Sequence, residues 1–438
     1  MRVMVIGSGG REHAICDAFS RSERVTQLFC SPGNGGIGQV ATCVDIKADD
    51  IHRLAEFAQN EAIDLTFVGG EGPLALGVVD EFESRGLKII GASRSAARLE
   101  SSKAFAKEFM SRHGIPTAKF YTAHSLAEAI ETLESGHFGA ATEPVVVKAD
   151  GLAAGKGVVV ALDRAEAVAA CSELASLVGA DAAEKIVLEE FLEGKEVSLI
   201  MFADGTDFAL MPPVRDHKRI GEGDTGPNTG GMGTITDSNL LTPKQLQSII
   251  KDIIEPTLNG CINDGFQFRG ILFVGLMMTD GGAKVLEYNV RFGDPETQSI
   301  MVRLETDLLE ICEAMLASGM SAGVGSSAVR DGSKRLGDIS IDWRPGNSAC
   351  VVLAAEGYPQ NPRTGDEIQG LDLASQISDV KIFHAGTTGD GTSYRTAGGR
   401  VLGVTATGAA LDDALATAYR AANLISWQGM QFRRDIGK

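Results

Sequence analysis

A short apolar run at 2–7, RVMVIG, stops at a glycine, and this predicts a first strand that feeds a tight turn. Residues 10–21 (GREHAICDAFSR) then read as a helix. The alternation continues with strand-like segments at 25–36, 41–46, 64–70 and 87–93, and helix-like segments at 49–62 and 74–86. Such β-α-β-α order predicts an α/β fold whose first part is a doubly wound parallel sheet with helices on its faces. The pattern changes near residue 101. SSKAFAKEFMSRHG (101–114) is an amphipathic helix with Phe105, Phe109 and Met110 on one side, ended by Gly114 with Pro116 beyond it. A compact unit follows over 117–192: a strand, the helix SLAEAIETLES, a strand–loop–strand, a helix near 164–178 and the strand KIVLEEFL. Longer strands then appear at 196–204, 268–278 and 283–290, separated by long loops. The Gly-, Ser- and Ala-rich stretch 320–337 reads as a crossing between domains. The remainder is strand-rich and ends in the helix DDALATAYRAANLIS.

Three glycine turns end strands of the first sheet: Gly7-Ser8-Gly9-Gly10-Arg11-Glu12-His13, Ser31-Pro32-Gly33-Asn34-Gly35-Gly36 and Gly69-Gly70-Glu71-Gly72. In an open parallel sheet these turns share the carboxyl edge, where ligands bind. Glycine lets the backbone approach a phosphate, and a helix start offers free N–H groups to an anion. The dinucleotide fingerprint would need glycine at position 12, which is Glu12, so a phosphorylated small molecule fits this edge better than NAD. An ordinary strand-to-helix turn is the plain alternative for the first of these loops.

Further chemistry lies beyond residue 140. Lys148-Ala149-Asp150-Gly151-Leu152-Ala153-Ala154-Gly155-Lys156-Gly157 joins two apolar strands. It is not a Walker A loop, because three residues, not four, separate Gly151 from Gly155, and Gly157 follows the lysine. Lys148 and Lys156 supply positive charge, and a mobile glycine loop can close over phosphates and exclude water; an exposed hairpin tip is the alternative. The strand ending in Glu189-Glu190-Phe191 runs towards Glu196, which places backbone groups for an adenine edge and a carboxylate for ribose hydroxyls. Glu193 and Lys195 read as solvated. Residues 215–233, RDHKRIGEGDTGPNTGGMG, form a long charged loop of the kind that usually carries function. His217 within it reads as structural rather than as a general base. In Lys284-Val285-Leu286-Glu287-Tyr288-Asn289-Val290-Arg291, strand periodicity points Glu287, Asn289 and Arg291 to one face, together with Val285. A carboxylate and an amide oxygen are hard ligands suited to Mg²⁺, and an arginine beside them can clamp a carboxylate or phosphate.

Composition narrows the field. The net charge is 40 − 58 = −18 with no run of five basic residues, which argues against nucleic acid as a partner. The seven cysteines include no C-x-x-C pair, so they read as core residues in a reducing compartment rather than as disulfides or a zinc site. No apolar stretch approaches the ~20 residues of a membrane span. A soluble cytoplasmic monomer is expected, with no membrane partner.

Together, GSGGREHA (7–14), PGN (32–34), VKADGLAAGKGV (147–158), DHKR (216–219), DTGPNTGGMG (224–233), RFGDPETQ (291–298), GYP (357–359), HAGT (384–387) and GGRVLGVTA (398–406) resemble the glycinamide ribonucleotide synthetases, a family of ATP-grasp ligases. The resemblance runs from Val3 to Arg433-Arg434-Asp435-Ile436-Gly437. It implies an N-terminal α/β domain over 1–102 that binds the phosphoribosyl substrate. An ATP-grasp domain would span 103–328, with 117–192 closing as a lid, and a strand-rich C-terminal domain 329–438. It further implies a reaction of purine synthesis: glycine is phosphorylated by ATP, and the acyl phosphate is attacked by 5-phosphoribosylamine. By position, Lys103, Lys148, Gly155, Lys156, Gly157, Glu189, Glu190, Phe191 and Glu196 would hold ATP, and Glu287 and Asn289 would hold Mg²⁺ or Mn²⁺. Gly9, Gly10, Arg11 and Asn34 would meet the sugar phosphate, while Asp216, Lys218 and Arg291 would orient glycine and the acyl phosphate. The chain departs from the family pattern at Gly70, at Arg215, at Thr234-Ile235-Thr236, and at Phe273-Val274-Gly275-Leu276, where related ligases carry a further metal carboxylate. A related ATP-grasp ligase with another acceptor, an NAD-dependent oxidoreductase and a non-catalytic nucleotide-binding module are the competing readings.

Overall fold

The computed structural model describes residues 1–152, 157–178, 185–319 and 334–438. Strands β1 (Arg2–Gly7), β2 (Gln27–Pro32), β3 (Thr42–Cys43), β4 (Leu65–Val68) and β5 (Ile89–Ile90) form a parallel sheet in the order β3-β2-β1-β4-β5. Val3 and Val5 face one apolar cluster and Met4 and Ile6 the other, as expected of a strand covered on both sides. The helices are α1 (Gly10–Ser20), α2 (Ile51–Asn60), α3 (Glu71–Leu76), α4 (Val78–Ser84), α5 (Arg94–Ser101) and α6 (Lys103–Arg112). The single helix expected at 74–86 is two, because Gly77 takes a left-handed φ of 87° that ends one and starts the next. Ser102 caps α6 by accepting from the N–H of Phe105 at 3.1 Å, and Phe109 and Met110 are fully buried.

Strands β6 (Phe120–Ala123), β7 (Val145–Ala149), β8 (Val158–Ala161) and β9 (Ile186–Glu190) make an antiparallel sheet in the order β6-β9-β7-β8. A larger antiparallel sheet begins with β10 (Lys195–Asp204), β11 (Phe208–Leu210) and β12 (Val214–Asp216). The long glycine-rich loop at 215–233 folds in part as a short hairpin, β13 (Arg219–Gly221) with β14 (Thr225–Asn228), before β15 (Gly233–Thr236) returns to the sheet. β16 (Arg269–Thr279), β17 (Gly282–Asn289), β18 (Asn347–Ala354), β19 (Val380–His384) and, after the hairpin β20 (Thr387–Gly389) with β21 (Tyr394–Thr396), β22 (Arg400–Gly408) complete it. Its order is β17-β16-β10-β12-β15-β18-β22-β19, so the C-terminal strands extend the same sheet that carries β17. Most of the expected crossing at 320–337 lies outside the described residues. Six of the seven cysteines are buried and all are free.

An aromatic cluster and a histidine pair are among the contacts that tie the N-terminal sheet to the rest. Phe292, fully buried, stacks on Phe67 of β4 at 5.8 Å and meets Phe202 of β10 edge-on at 6.1 Å. The Nδ1 of His13 accepts from the N–H of His384 at 2.9 Å, and His384 Nδ1 lies 3.0 Å from Thr387 Oγ1. Burial pushes His13 down to about 4 and His384 to about 3, so both are neutral in the folded protein at pH 7. Phe292→Ala should cost about 3–5 kcal/mol, read as a lower midpoint of chemical unfolding. Below about pH 6.5 the unfolded histidines take up protons that the folded ones refuse, so stability falls with acid by up to about 1.4 kcal/mol per pH unit per histidine. Unfolding midpoints at pH 7 and pH 5 should show this loss, and His384→Gln should lessen it; an equal pH dependence in the variant would contradict the buried neutral pair.

Candidate functional site

Strand β17 sets the centre of the site. Opposite β16, Val285 pairs with Leu276 and Glu287 with Gly275, so one extra residue is accommodated at Leu286. This bulge resets the alternation. Val285, expected on the face of Glu287, instead joins Tyr288 and Val290 in the core. Asn289 and Arg291 do share a face, with Arg291 Nη2 donating to Asn289 Oδ1 at 3.0 Å. Glu287 faces Lys218, Lys148, Lys103 and Arg291. Burial raises its carboxyl, but these four cations outweigh that and hold it below the usual carboxylate range. Among the described residues no donor hydrogen bonds to the Glu287 carboxylate. Gly275 lies across from it, where a Cβ would sit 3.4 Å from Glu287 Cγ. An ionised, unengaged carboxylate beside an amide oxygen fits a hard divalent cation. The surrounding positive charge opposes a bare ion and favours one that arrives with phosphates. Lys103 Nζ donates to Gly151 O at 2.8 Å, and Lys148 Nζ lies 2.7 Å from Glu189 Oε1.

At the edge of the parallel sheet, Glu12 takes the place of the third glycine. Its Oε2 accepts from the N–H of Gly9 at 2.6 Å, and its Oε1 accepts from Arg11 Nε at 2.7 Å. A Cβ at Gly7, with φ 139°, or at Gly69 would strike the Glu12 side chain, so both glycines are required by this carboxylate. Arg11 also donates to Phe292 O at 2.9 Å and faces Glu71 at 3.7 Å. Burial pushes Glu71 up, but Arg291 and Arg11 bring it down to about 2. Asn34, expected to touch a sugar phosphate, has its amide fully engaged within the protein. It donates to Ser8 O and His384 O, both at 2.8 Å, and accepts from Gly36 N and Ile37 N at 2.9 and 3.0 Å. It is a staple between loops, with no side-chain valence left for a ligand. Gly9 and Gly10 lie beside Asp294, whose Oδ2 is 3.1 Å from Arg400 Nη2 and whose Oδ1 accepts from Gln298 at 2.7 Å.

The charged loop supplies Asp216 and Lys218. Burial and the neighbouring Glu296 push the Asp216 carboxyl well above its usual value. Burial alone would lower Lys218, but Glu196, 3.0 Å away, together with Glu287 and Asp216 holds it above the ordinary lysine value. His217 is structural, as expected: the N–H of Gly437 donates to its Nε2 at 3.0 Å, which leaves Nδ1–H to donate to Gly233 O at 3.0 Å. Arg291 is held by Glu100 at 2.7 Å and Glu71 at 3.1 Å.

The remaining expected residues spread outward. Glu189 is buried between Lys148 and Lys107, so its carboxylate is occupied. Glu190 pairs with Lys284 at 2.8 Å, and Phe191 is 39 % exposed. Glu193 and Lys195 are exposed. Gly155 and Lys156 lie outside the described residues, while Gly157 O accepts from Ala149 N at 2.9 Å. The departures from the family pattern are accommodated locally. Arg215 donates to Lys438 O, Gly70 has an extended backbone open to any residue, and the hydroxyls of Thr234 and Thr236 meet Ser299 and Ser348 at 2.6 and 2.7 Å. Sequence reasoning gave no role to Glu71, Glu100, Lys107, Asp294, Glu296 or Arg400. Glu71, Asp294, Glu296 and Arg400 stood inside the quoted motifs without a role of their own, and the local signal for Lys107 was its place four residues after Lys103 on one face of α6.

Three family models cover most of the chain: the N domain of phosphoribosylglycinamide synthetase over residues 1–100, its ATP-grasp (A) domain over 101–297 and its C domain over 348–438. The phosphoribosylamine–glycine ligase of Xanthomonas axonopodis pv. citri is 46% identical over 444 residues, with 100% of this chain and 97% of that protein covered. The ligase of the same name from Chlorobaculum tepidum is 43% identical, with 100% and 99% covered. The crystal structure of phosphoribosylamine–glycine ligase from Thermotoga maritima superposes with a TM-score of 0.81 at 33% identity, each chain covered in full. With all three domains matched in order and full-length relatives at this identity, the chain belongs to the phosphoribosylglycinamide synthetase family.

Proposed function

We propose that the chain joins glycine to 5-phosphoribosylamine at the expense of ATP, giving glycinamide ribonucleotide, ADP and phosphate in purine synthesis, with the ATP phosphates lying between the four-stranded sheet and β17. The observation that carries the reading is Glu287, an ionised carboxylate with no hydrogen-bond donor among the described residues, faced by Lys103, Lys148, Lys218 and Arg291. The structural carboxylates of this protein sit in close ion pairs, as Glu189 does with Lys107 and Lys148, whereas Glu287 has no such pair among the described residues. A surplus of cations around an open oxygen ligand suits a metal–polyphosphate instead.

A carboxylate is a poor electrophile, so the reaction runs in two transfers. A glycine carboxylate oxygen attacks the γ-phosphorus of ATP, and the bond from phosphorus to the bridging oxygen breaks to release ADP. The amine nitrogen of phosphoribosylamine then attacks the acyl carbon; the C–N bond forms, the bond to the phosphate oxygen breaks, and the nitrogen gives up a proton. Neither step needs a covalent enzyme nucleophile. Lys103 and Lys148 neutralise the nucleotide phosphates. Lys218 and Arg291 face the transferring phosphoryl group, with the plane of Arg291 fixed by Glu100 and Glu71. Asp216 orients glycine. Glu287 and Asn289 would hold Mg²⁺ or Mn²⁺, which offsets negative charge on the phosphates. Gly9, Gly10 and Arg11 offer the N-terminal edge to the sugar phosphate, and Asn34 holds that edge in shape.

ADP release should require ATP, a divalent cation, glycine and freshly made phosphoribosylamine together. Glu287→Ala should fold and lower kcat by about 10²–10³, the scale of one lost electrostatic group in a preorganised site. ADP formed equally well with another amino acid or amine would remove the substrate assignment and leave the ligase fold. A wild-type rate in Glu287→Ala would remove the metal site.

A further inference from the structure

Lys107 is among the largest fully buried side chains of the protein, with 2 % of its side chain exposed. A buried ammonium must be matched by an anion and by acceptors. Its Nζ lies 2.8 Å from Glu189 Oε2 and donates to Thr117 Oγ1 at 2.7 Å, and Thr117 Oγ1 donates to Val285 O at 2.7 Å. The other oxygen of Glu189 is 2.7 Å from Lys148 Nζ, which donates to Leu286 O at 3.3 Å. The chain of contacts thus leaves β17 at Val285, passes through α6 and β9, crosses to β7 and returns to β17 one residue later. It holds two cations and one anion, 2 − 1 = +1. The Lys107 ammonium is engaged within the protein by Glu189 and Thr117; both lysines feel Glu287, and Lys148 is among the four cations that act on it most.

We propose that Lys107 is a positioning residue for the ligase reaction: it anchors and neutralises Glu189, so that the charge of Lys148 stays available to the nucleotide phosphates instead of being cancelled by Glu189. The inference rests on the reading above that Lys148 meets those phosphates. It also gives Glu189 a supporting place rather than a contact with ATP. Without Lys107, Glu189 has Lys148 as its one remaining cation among the described residues. The net charge of the group falls from +1 to 0, and the nucleotide loses its partner without losing any residue that touches it. Removing the negative charge of Glu189 as well returns the group to +1. A residue that served packing alone would show no such reversal.

The test is steady-state kinetics on Lys107→Met, Lys107→Met/Glu189→Gln and Lys148→Met, with folding checked by circular dichroism. In Lys107→Met the KM for ATP should rise about tenfold or more, the scale of a lost charge-assisted hydrogen bond, with the KM for glycine unchanged. The double variant should recover most of that loss. If Lys107→Met does not fold, the double variant, whose buried pair is replaced by neutral groups of similar size, is compared with the parent, and its KM for ATP should stay within about threefold. An unchanged KM for ATP in Lys107→Met, or a double variant as impaired as the single one, overturns the proposal. Lys148→Met separates the two levels. Lost ATP binding there alongside an inert Lys107→Met removes this inference alone, and undiminished ATP binding in Lys148→Met removes the nucleotide reading beneath it.

Discussion

Ionised side chains taken out of water must be answered by other charges, and in this protein that constraint decides which elements come together. Glu189 sits 2 % exposed between two lysines, a position that costs several kcal/mol unless the pairing is close. The pairing draws α6, two strands of the smaller sheet and β17 to one point. A second set, Arg11, Glu12, Glu71, Arg291 and Glu100, does the same for the N-terminal sheet and the end of β17. Both sets border Arg291 or Glu287, so the site is assembled from the charges that hold the domains in place. Removing one of them alters the geometry of the join as well as the chemistry.

The N-terminal sheet shows how one residue redirects a common architecture. Its strand order and glycine turns are those of a nucleotide-binding α/β sheet. A carboxylate at position 12 occupies the space under Gly7 and Gly69 that a close helix–sheet approach would otherwise fill, and it takes the N–H of Gly9, the residue that caps α1. Negative charge at that point disfavours a pyrophosphate lying across the helix start. Arg11, paired with the same carboxylate, restores positive charge one residue earlier. The edge is left suited to a smaller anion.

Much of this was legible from local pattern. The β-α alternation, the amphipathic helix with Phe109 and Met110, and the shared face of Glu287, Asn289 and Arg291 follow from periodicity and punctuation alone. The motifs named the family because glycines and charges stand together in long specific strings. What escaped depends on information far along the chain. The bulge at Leu286 reflects how β16 pairs with β17, and it moved Val285 to the core. Asn34 reads as a ligand contact until Ser8 and His384, 26 and 350 residues away, claim its amide. Glu71 stood in a glycine turn and Glu100 between the predicted elements, and only the fold brings Arg291 to them. Gly77 is the opposite case, a local signal lost inside an otherwise helical pattern.

The C-terminal strands show how the last part of the chain is built into the candidate site. β18 adds to β15, so the sheet that presents Asp216 and Glu287 continues without a break into the last hundred residues or so. From β22, Arg400 reaches back to Asp294 at 3.1 Å and donates to the carbonyls of Gly230 and Asp294. One planar guanidinium therefore fixes both the glycine-rich turn beside Asp216 and the turn after Arg291. At Gly231, with φ 112°, a Cβ would meet Asp216 Oδ1 at 2.8 Å. That turn can lie against the carboxylate only while Gly230 is held from the far side. The spacing between Asp216 and the Arg291 turn is thus set by an arginine that need never touch a substrate, and the rigidity of the joined sheet is what makes that arginine effective.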